Sequence, residues 1–133
     1  MTTNELKESF VALYGGSADD LRVFSAAGRV NLIGEHIDYC GGKVFPAALN
    51  LRTTVVARKT KTDKIRLAAT TIDDKVTLDI GNLNAYRDLP WGDYQAGVAY
   101  VMQNEGYTIV GCDLLYDTTV PFGSGLSSSA SIE

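Results

Sequence analysis

The first element that the pattern of apolar and polar positions predicts is a helix. Thr2 and Glu5 have the spacing of a capping box, in which each side chain binds the backbone N–H group of the other residue. Gly15 and Gly16 end this helix, because glycine readily takes the left-handed conformation of a helix C-terminus. Between them, four apolar residues recur at the i, i+4, i+7 and i+8 spacing of one helical face: Leu6, Phe10, Leu13 and Tyr14.

The next stretch combines β-branched residues with turn residues and predicts strands. Val, Ile and Thr favour extended backbone, whereas Gly, Asn and Asp favour the turns between strands. The predicted strands are residues 21–26, 43–49, 53–59, 64–70 and 75–79. The first of them runs into a charged segment, residues 28–42.

A second helix is predicted with Asp93 as its N-cap and Gly106 after its end. Its predicted core face consists of Tyr94, Val98, Val101 and Met102. Residues 112–116 then predict a strand that leads into a glycine-rich loop and the start of a third helix. This order of elements is typical of an α+β domain with a mixed or mostly antiparallel sheet.

The composition of the chain argues against several classes of function. The chain has 133 residues, a net charge of −4 and no basic block, which argues against non-specific nucleic-acid binding because that requires a cationic face. No apolar run approaches the roughly 20 residues of a membrane span, and charged residues near the start exclude a signal peptide. Cys40 and Cys112 are far apart and His36 is the sole histidine, so zinc is excluded. We therefore expect a cytoplasmic protein with reduced thiols.

The sequence PFGSGLSSSASIE, residues 121–133, has the composition of a phosphate-binding loop. Gly123 and Gly125 allow the backbone to adopt positive φ and to approach a ligand closely. The serines that follow supply N–H and hydroxyl donors at a helix start. It is neither a Walker A loop nor a dinucleotide fingerprint, because the lysine of the first and the third glycine of the second are missing.

The string PxGxGLSSSA resembles the nucleotide-phosphate loop of the GHMP kinases, a superfamily of small-molecule kinases. That resemblance implies ATP and Mg²⁺ as cofactors, with Ser129 helping to hold the magnesium. It also implies the fold of the GHMP kinase N-terminal domain (ribosomal protein S5 domain 2-like), with helices on one side of the sheet. The residues implied in ATP phosphate binding are Gly123, Ser124, Gly125, Leu126, Ser127, Ser128 and Ser129.

The charged segment GRVNLIGEHIDYCGG, residues 28–42, carries Arg29, Glu35, His36 and Asp38. Carboxylates suit sugar recognition because each accepts hydrogen bonds from adjacent hydroxyl groups. Such charge-assisted bonds contribute about 1.5–3 kcal/mol each. An epimer with one misplaced hydroxyl leaves a buried carboxylate unpaired, and this mismatch supplies specificity.

The same segment closely resembles the galactokinase signature GRVNLIGEHTDYNGG and departs from it at Ile37 and Cys40; Ala27, just before it, replaces the proline usual in that family. The resemblance implies that galactose hydroxyls contact Glu35, His36 and Asp38. It implies that Arg29 lies between the sugar and the transferred phosphoryl group, where a cation stabilises developing charge.

The segment PWGDYQAGV, residues 90–98, is also similar to a Trp-x-x-Tyr-x-x-Gly stretch common in galactokinases. We assign no chemistry to Trp91 or Tyr94 and expect both to pack in the core.

The resemblance places the catalytic aspartate, a glutamate ligand of magnesium and a third glycine-rich motif beyond the phosphate loop. We therefore expect residues 1–133 to be an incomplete N-terminal GHMP kinase domain, without the C-terminal domain, and to be inactive and poorly stable alone. The predicted function of the complete protein is ATP-dependent phosphorylation of galactose at the anomeric hydroxyl. A catalytically silent sensor of galactose and ATP, an inactive fragment and an N-acetylgalactosamine kinase stay open, as does the oligomeric state.

Overall fold

The computed structural model describes residues 1–123 and 125–132, apart from the side chains of Asp38, Tyr86, Arg87 and Asp88. The α-helices are α1 (Thr3–Tyr14), α2 (Asp93–Asn104) and α3 (Ser128–Ile132), and short 3₁₀ segments span Asp38–Cys40 and Ile80–Asp88. The strands are β1 (Arg22–Ile33), β2 (Phe45–Lys59), β3 (Lys64–Ala69), β4 (Ile72–Asp79) and β5 (Cys112–Thr118).

The strands form one mixed sheet in the order β1-β2-β5-β3-β4. β1 pairs antiparallel with β2, β2 with β5, and β3 with β4, whereas β3 and β5 run parallel. The predicted α+β class and mixed sheet are confirmed. β5 lies between β2 and β3, so the strand that leads into the glycine loop is central and the loop starts from a fixed point.

Helix α1 covers one face of the sheet, as its capping signals and apolar spacing predict. The Glu5 backbone N–H donates to Thr2 Oγ1 at 3.3 Å, and the Thr2 N–H donates to Glu5 Oε2 at 2.7 Å. Gly15 ends the helix with φ 76°. Leu6 and Phe10 are buried against three sheet residues, Val56, Ala68 and Leu115. We call this side of the sheet the α1 face.

The other side, the α2 face, buries a second cluster under α2, α3 and the 3₁₀ segment Ile80–Asp88. Its buried members are Ile65, Leu67, Val76, Leu78, Leu83, Ala96 and Tyr116. The expectation of helices on one side therefore holds for α2 and α3, whereas α1 packs on the opposite face. The reason lies in the strands: neighbouring residues such as Leu115 and Tyr116 point to opposite faces and both are apolar, so both faces need cover.

Two strand boundaries differ from the prediction. β1 continues to Ile33 instead of ending near residue 26, and β2 is one strand of 15 residues rather than two. The long pairing tolerates irregularities, with register shifts between Ala27 and Arg29 and between Asn31 and Ile33. Such bulges let a strand continue where the local sequence alone favours a break.

Helix α2 confirms the predicted element but corrects its details. The N-cap is Gly92, with φ 84° and no side-chain cap, and Asp93 is the first helical residue. The predicted core face is wrong, because Tyr94, Val101 and Met102 are exposed and Ala96 is buried. A small residue allows the helix backbone to lie close to the sheet, which turns the larger apolar side chains outward.

Candidate functional site

The charged segment forms the end of β1 and the loop between β1 and β2. Two glycines let this loop fold back on itself. A Cβ atom on Gly34, whose φ is 102°, would lie 2.9 Å from the Lys43 carbonyl oxygen, and one on Gly42 would lie 2.8 Å from that of Ile37. The Ile37 carbonyl accepts hydrogen bonds from the N–H groups of Cys40 (3.1 Å) and Gly42 (2.8 Å). The loop is thereby a compact turn that displays residues 35–37 at its surface.

Glu35 and His36 have exposed side chains on this turn. His36 adopts a left-handed backbone conformation, φ 59°, which is uncommon for a residue other than glycine. Its Nδ1 atom lies 3.1 Å from the hydroxyl oxygen of Tyr39. Asp38 begins the 3₁₀ segment, but its side chain lies outside the described part of the structure. Cys40 is an exposed free thiol.

The glycine-rich loop has the backbone that its sequence predicts. Gly123, Gly125 and Ser127 have positive φ angles of 66°, 72° and 60°. The Ser127 carbonyl accepts the Ser131 N–H at 3.0 Å, which starts α3, and Ser128 and Ser129 form its first turn. Residues in this left-handed conformation occur in nests, in which successive N–H groups turn toward an anion. Ser124 lies outside the described residues.

A chain of hydroxyl groups ties α3 to the sheet. Ser131 is buried, and its hydroxyl donates to the Ser128 carbonyl at 2.9 Å. The Thr53 hydroxyl lies 2.8 Å from that of Ser131 and 2.9 Å from that of Thr118, which accepts the Val120 N–H at 3.1 Å. Sequence reasoning did not single out these residues. The chain joins β2, β5 and the ends of the loop, so it fixes the loop's position.

The charged segment and the glycine-rich loop, 79 or more residues apart in the sequence, meet at Gly28 and Arg29. The Arg29 backbone N–H donates to the Leu126 carbonyl at 3.0 Å. A Cβ atom on Gly28 would lie 2.9 Å from the same oxygen and 3.2 Å from Val120 Cγ2, so only glycine fits without displacement. Arg29 is exposed. This contact brings the two predicted motifs together in one site.

A cavity of about 180 Å³ lies next to the phosphate loop, between α2, the sheet and α3. Trp91, Tyr94 and Phe122 contribute aromatic walls, and Tyr116 lies at its base on the sheet. The Trp91 indole N–H donates to the Asp74 carbonyl at 2.8 Å, which fixes that ring. Burial raises the pKa of Tyr116 well above its ordinary value, so the base of the cavity carries no charge from this residue. The expected core role is wrong for Tyr94, which is half exposed at the cavity wall, and incomplete for Trp91.

The side chains that the structure describes offer no ready metal centre. Among them, no three His, Cys, Asp or Glu side chains converge to hold an ion. None of the helices in this part of the chain is long and apolar enough to cross a membrane.

Known proteins share both the fold and the motifs. A family model described as the galactokinase galactose-binding signature matches residues 8–59. The chain is 47% identical to a galactokinase from Clostridium tetani over 133 residues and 39% identical to one from Bacillus subtilis over 134. It spans about a third of the length of these curated relatives, 33% and 34%.

Solved structures give the same result. Lactococcus lactis galactokinase complexed with galactose has a TM-score of 0.86 and 35% identity, covering 98% of this chain and 34% of the other. The mevalonate kinase of Methanococcus jannaschii has a TM-score of 0.71 at 20% identity, covering 86% of this chain and 37% of the other, so it shares the fold.

The mixed sheet with its glycine- and serine-rich loop is thus the fold of the small-molecule kinases of the GHMP superfamily. Within that superfamily, the chain matches the N-terminal portion of galactokinases, in the galactose-binding signature, in sequence and in fold.

Proposed function

We propose that the complete enzyme to which this segment belongs phosphorylates D-galactose at the anomeric hydroxyl with ATP, giving galactose 1-phosphate. The observation that carries the proposal is the hydrogen bond from Arg29 N–H to the Leu126 carbonyl, at 3.0 Å. Phosphoryl transfer requires the acceptor and the phosphate donor to be held side by side. This contact holds a sugar-binding sequence against a phosphate-binding sequence. The relative from Lactococcus lactis was solved with galactose.

On the sugar side, Glu35, His36 and Asp38 contact galactose hydroxyls in this proposal. Glu35 and His36 are exposed on a turn whose backbone is held by Gly34 and Gly42. Ionised carboxylates accept hydrogen bonds from sugar hydroxyls, and the imidazole can donate or accept. The guanidinium of Arg29 stabilises the negative charge that develops on the transferred phosphoryl group.

On the nucleotide side, residues 123–129 bind the phosphates of ATP. The positive φ angles of Gly123, Gly125 and Ser127 and the close approach at Gly28 fit a cradle for an anion. The aromatic cavity beside the loop binds the base of ATP in this proposal, because a flat ring can pack against its aromatic walls. Magnesium neutralises phosphate charge when it is bound. The hydroxyl of Ser129 would be one of its ligands, together with the phosphates and residues outside this chain.

We further propose that residues 1–133 are an incomplete N-terminal GHMP kinase domain, with the C-terminal domain and the catalytic aspartate outside them. The chain spans about a third of its curated relatives, which supports this division. The segment alone is then inactive. A cytoplasmic location is consistent with the free thiols of Cys40 and Cys112 and with the use of ATP.

The test measures kinase activity in a full-length hybrid protein. In this hybrid, residues 1–133 of this chain replace the matching segment of the Clostridium tetani galactokinase, which is 47% identical over 133 residues. We expect galactose-dependent ADP release, with glucose as the control sugar, and none from the 133-residue chain. Arg29→Ala should lower kcat by about 10²–10³, the cost of removing one donor to developing charge. Arg22→Ala, which removes an exposed arginine stacked on Phe24, is the matched control and should leave kcat unchanged.

Each contrary result has a definite meaning. Binding of galactose and ATP without turnover would indicate a sensor, and a preference for N-acetylgalactosamine would indicate the related sugar kinase. Unchanged kcat in Arg29→Ala would show that the sugar site is placed wrongly.

A further inference from the structure

Tyr39 is an aromatic residue on the sugar-binding turn to which the proposed function gives no role. Its side chain is 73% exposed, yet its hydroxyl oxygen lies 3.1 Å from Nδ1 of His36. The two ring centroids are 6.2 Å apart and the rings are nearly perpendicular. The tyrosine therefore meets the edge of the imidazole through its hydroxyl and does not stack on it.

The backbone of the turn holds both partners in place. His36 has the left-handed conformation (φ 59°), which orients its side chain differently from that of an ordinary extended residue. Tyr39 is the central residue of the 3₁₀ segment Asp38–Cys40, closed by two hydrogen bonds to the Ile37 carbonyl. Since Gly42 also packs against Ile37, the turn has little freedom. Because the backbone is held, only the side-chain torsions of His36 and Tyr39 have to be ordered for their contact to form.

This contact determines which ring nitrogen faces outward. A tyrosine hydroxyl that donates to Nδ1 leaves the proton of a neutral imidazole on Nε2, which then acts as a donor. The carboxylates at Glu35 and Asp38 can only accept when ionised. A sugar hydroxyl both donates and accepts, so a site made only of carboxylates satisfies its donor and leaves its acceptor lone pairs unpaired. An Nε2–H group supplies the missing donor.

We propose that Tyr39 is a positioning residue that fixes the ring orientation and tautomer of His36, so that Nε2–H donates to a galactose hydroxyl oxygen. The inference rests on the proposed function for the identity of the sugar. The geometry of the pair itself is independent of it.

The first experiment observes the ring nitrogens of His36, the sole histidine of residues 1–133, in the full-length protein described above. With ¹⁵N-histidine labelling and without sugar, the signals of His36 are identified as those that disappear in His36→Gln. We expect the Nε2–H tautomer, with Nδ1 shifted as a hydrogen-bond acceptor. Tyr39→Phe should move the Nδ1 resonance, whereas Tyr107→Phe, at another exposed tyrosine, should not. An unchanged Nδ1 resonance in Tyr39→Phe, or a dominant Nδ1–H tautomer in the parent protein, would overturn the inference.

The second experiment measures kinetics in the full-length protein described above. Tyr39→Phe should raise the KM for galactose about five- to tenfold, as expected for weakening one hydrogen bond, with smaller changes in kcat and in the KM for ATP. An equal rise in the KM for ATP would mean that the turn has lost its structure and would contradict a positioning role, as would no change in either KM. Absence of galactose kinase activity in the parent would instead refute the proposed function, while the NMR result would still test the tyrosine–histidine pair.

Discussion

The α1 face of the sheet and the tip of the β1–β2 hairpin are built in opposite ways. On the α1 face, Leu6, Phe10 and Val56 are completely or almost completely buried. At the hairpin tip, large apolar side chains are exposed on and around the turn of residues 34–42: Leu32, Ile33, Tyr39, Val44 and Phe45. The α1 face is a fully packed hydrophobic core. The hairpin tip exposes several large apolar side chains close together in the sequence.

Polar groups strengthen the contrast. On the α1 face, Asp113 is buried and receives two hydrogen bonds of 2.6 Å from Arg66. The guanidinium of Arg66 also lies 4.9 Å from the ring centre of Tyr14, and that of Arg58 lies 5.0 Å from the ring centre of Phe10. A buried charge is tolerated only when it is paired in this way. At the hairpin tip, by contrast, Glu35 and His36 face outward, as a ligand site requires.

The largest expected effect compares a phenylalanine from each region. Phe10→Ala should lower the free energy of unfolding by about 3–5 kcal/mol, because its side chain is 0% exposed and a cavity would remain. Phe45→Ala, 63% exposed, should change it by less than about 0.5 kcal/mol. Urea unfolding of the full-length protein described above measures both. Similar losses in the two variants would mean that the hairpin tip is packed in solution.

The next comparison replaces each of two glycines by alanine, which adds one methyl group at each position. Gly28→Ala should displace the phosphate loop, because the new Cβ would lie 2.9 Å from the Leu126 carbonyl oxygen. Overpacking of this kind costs about 1–3 kcal/mol, so we expect the KM for ATP in the full-length protein to rise about tenfold or more.

Gly97→Ala is the matched control, because nothing lies within 4 Å of a Cβ atom there. In the middle of α2 it should raise the free energy of unfolding by about 0.5–1 kcal/mol and leave the KM for ATP unchanged. A normal KM for ATP in Gly28→Ala would show that the loop adapts without loss of binding.

The smallest expected effect concerns alkaline pH on the α1 face. Burial, with a contribution from the charge of Asp113, raises the pKa of Tyr14 to about 12. Since the ordinary value is about 10, the protonated tyrosine stabilises the fold fully below about pH 10, and this contribution is lost as the pH rises toward 12.

The urea midpoint of the parent protein should therefore fall more steeply between pH 10 and 12 than that of Tyr14→Phe. Part of the fall should persist in the variant, because burial raises the pKa of Tyr116 as well. Parallel curves for the two proteins would contradict a half-buried Tyr14 that stays protonated.

Local signals in the sequence predicted local structure well. The capping box of Thr2 and Glu5 gives the start of α1, and β-branched residues locate most strands, because these preferences act between residues close in the chain. The same reasoning failed for α2, where the apolar residues were identified but their direction was wrong. Both Ala96 and Tyr94 are compatible with a core, and only the distance between helix and sheet selects the smaller one.

The sequence by itself determined which chemical groups the two motifs of the candidate site carry. One segment has an arginine, carboxylates and a histidine, and the other has glycines and serines. Their residue types and spacing carry that information without reference to the rest of the chain. Only the tertiary structure decided that Leu126 lies on Gly28, that Ser131 reaches Thr53 across 78 residues, and that an aromatic cavity opens beside the loop. These contacts depend on the order and register of the strands, which no short stretch of sequence contains.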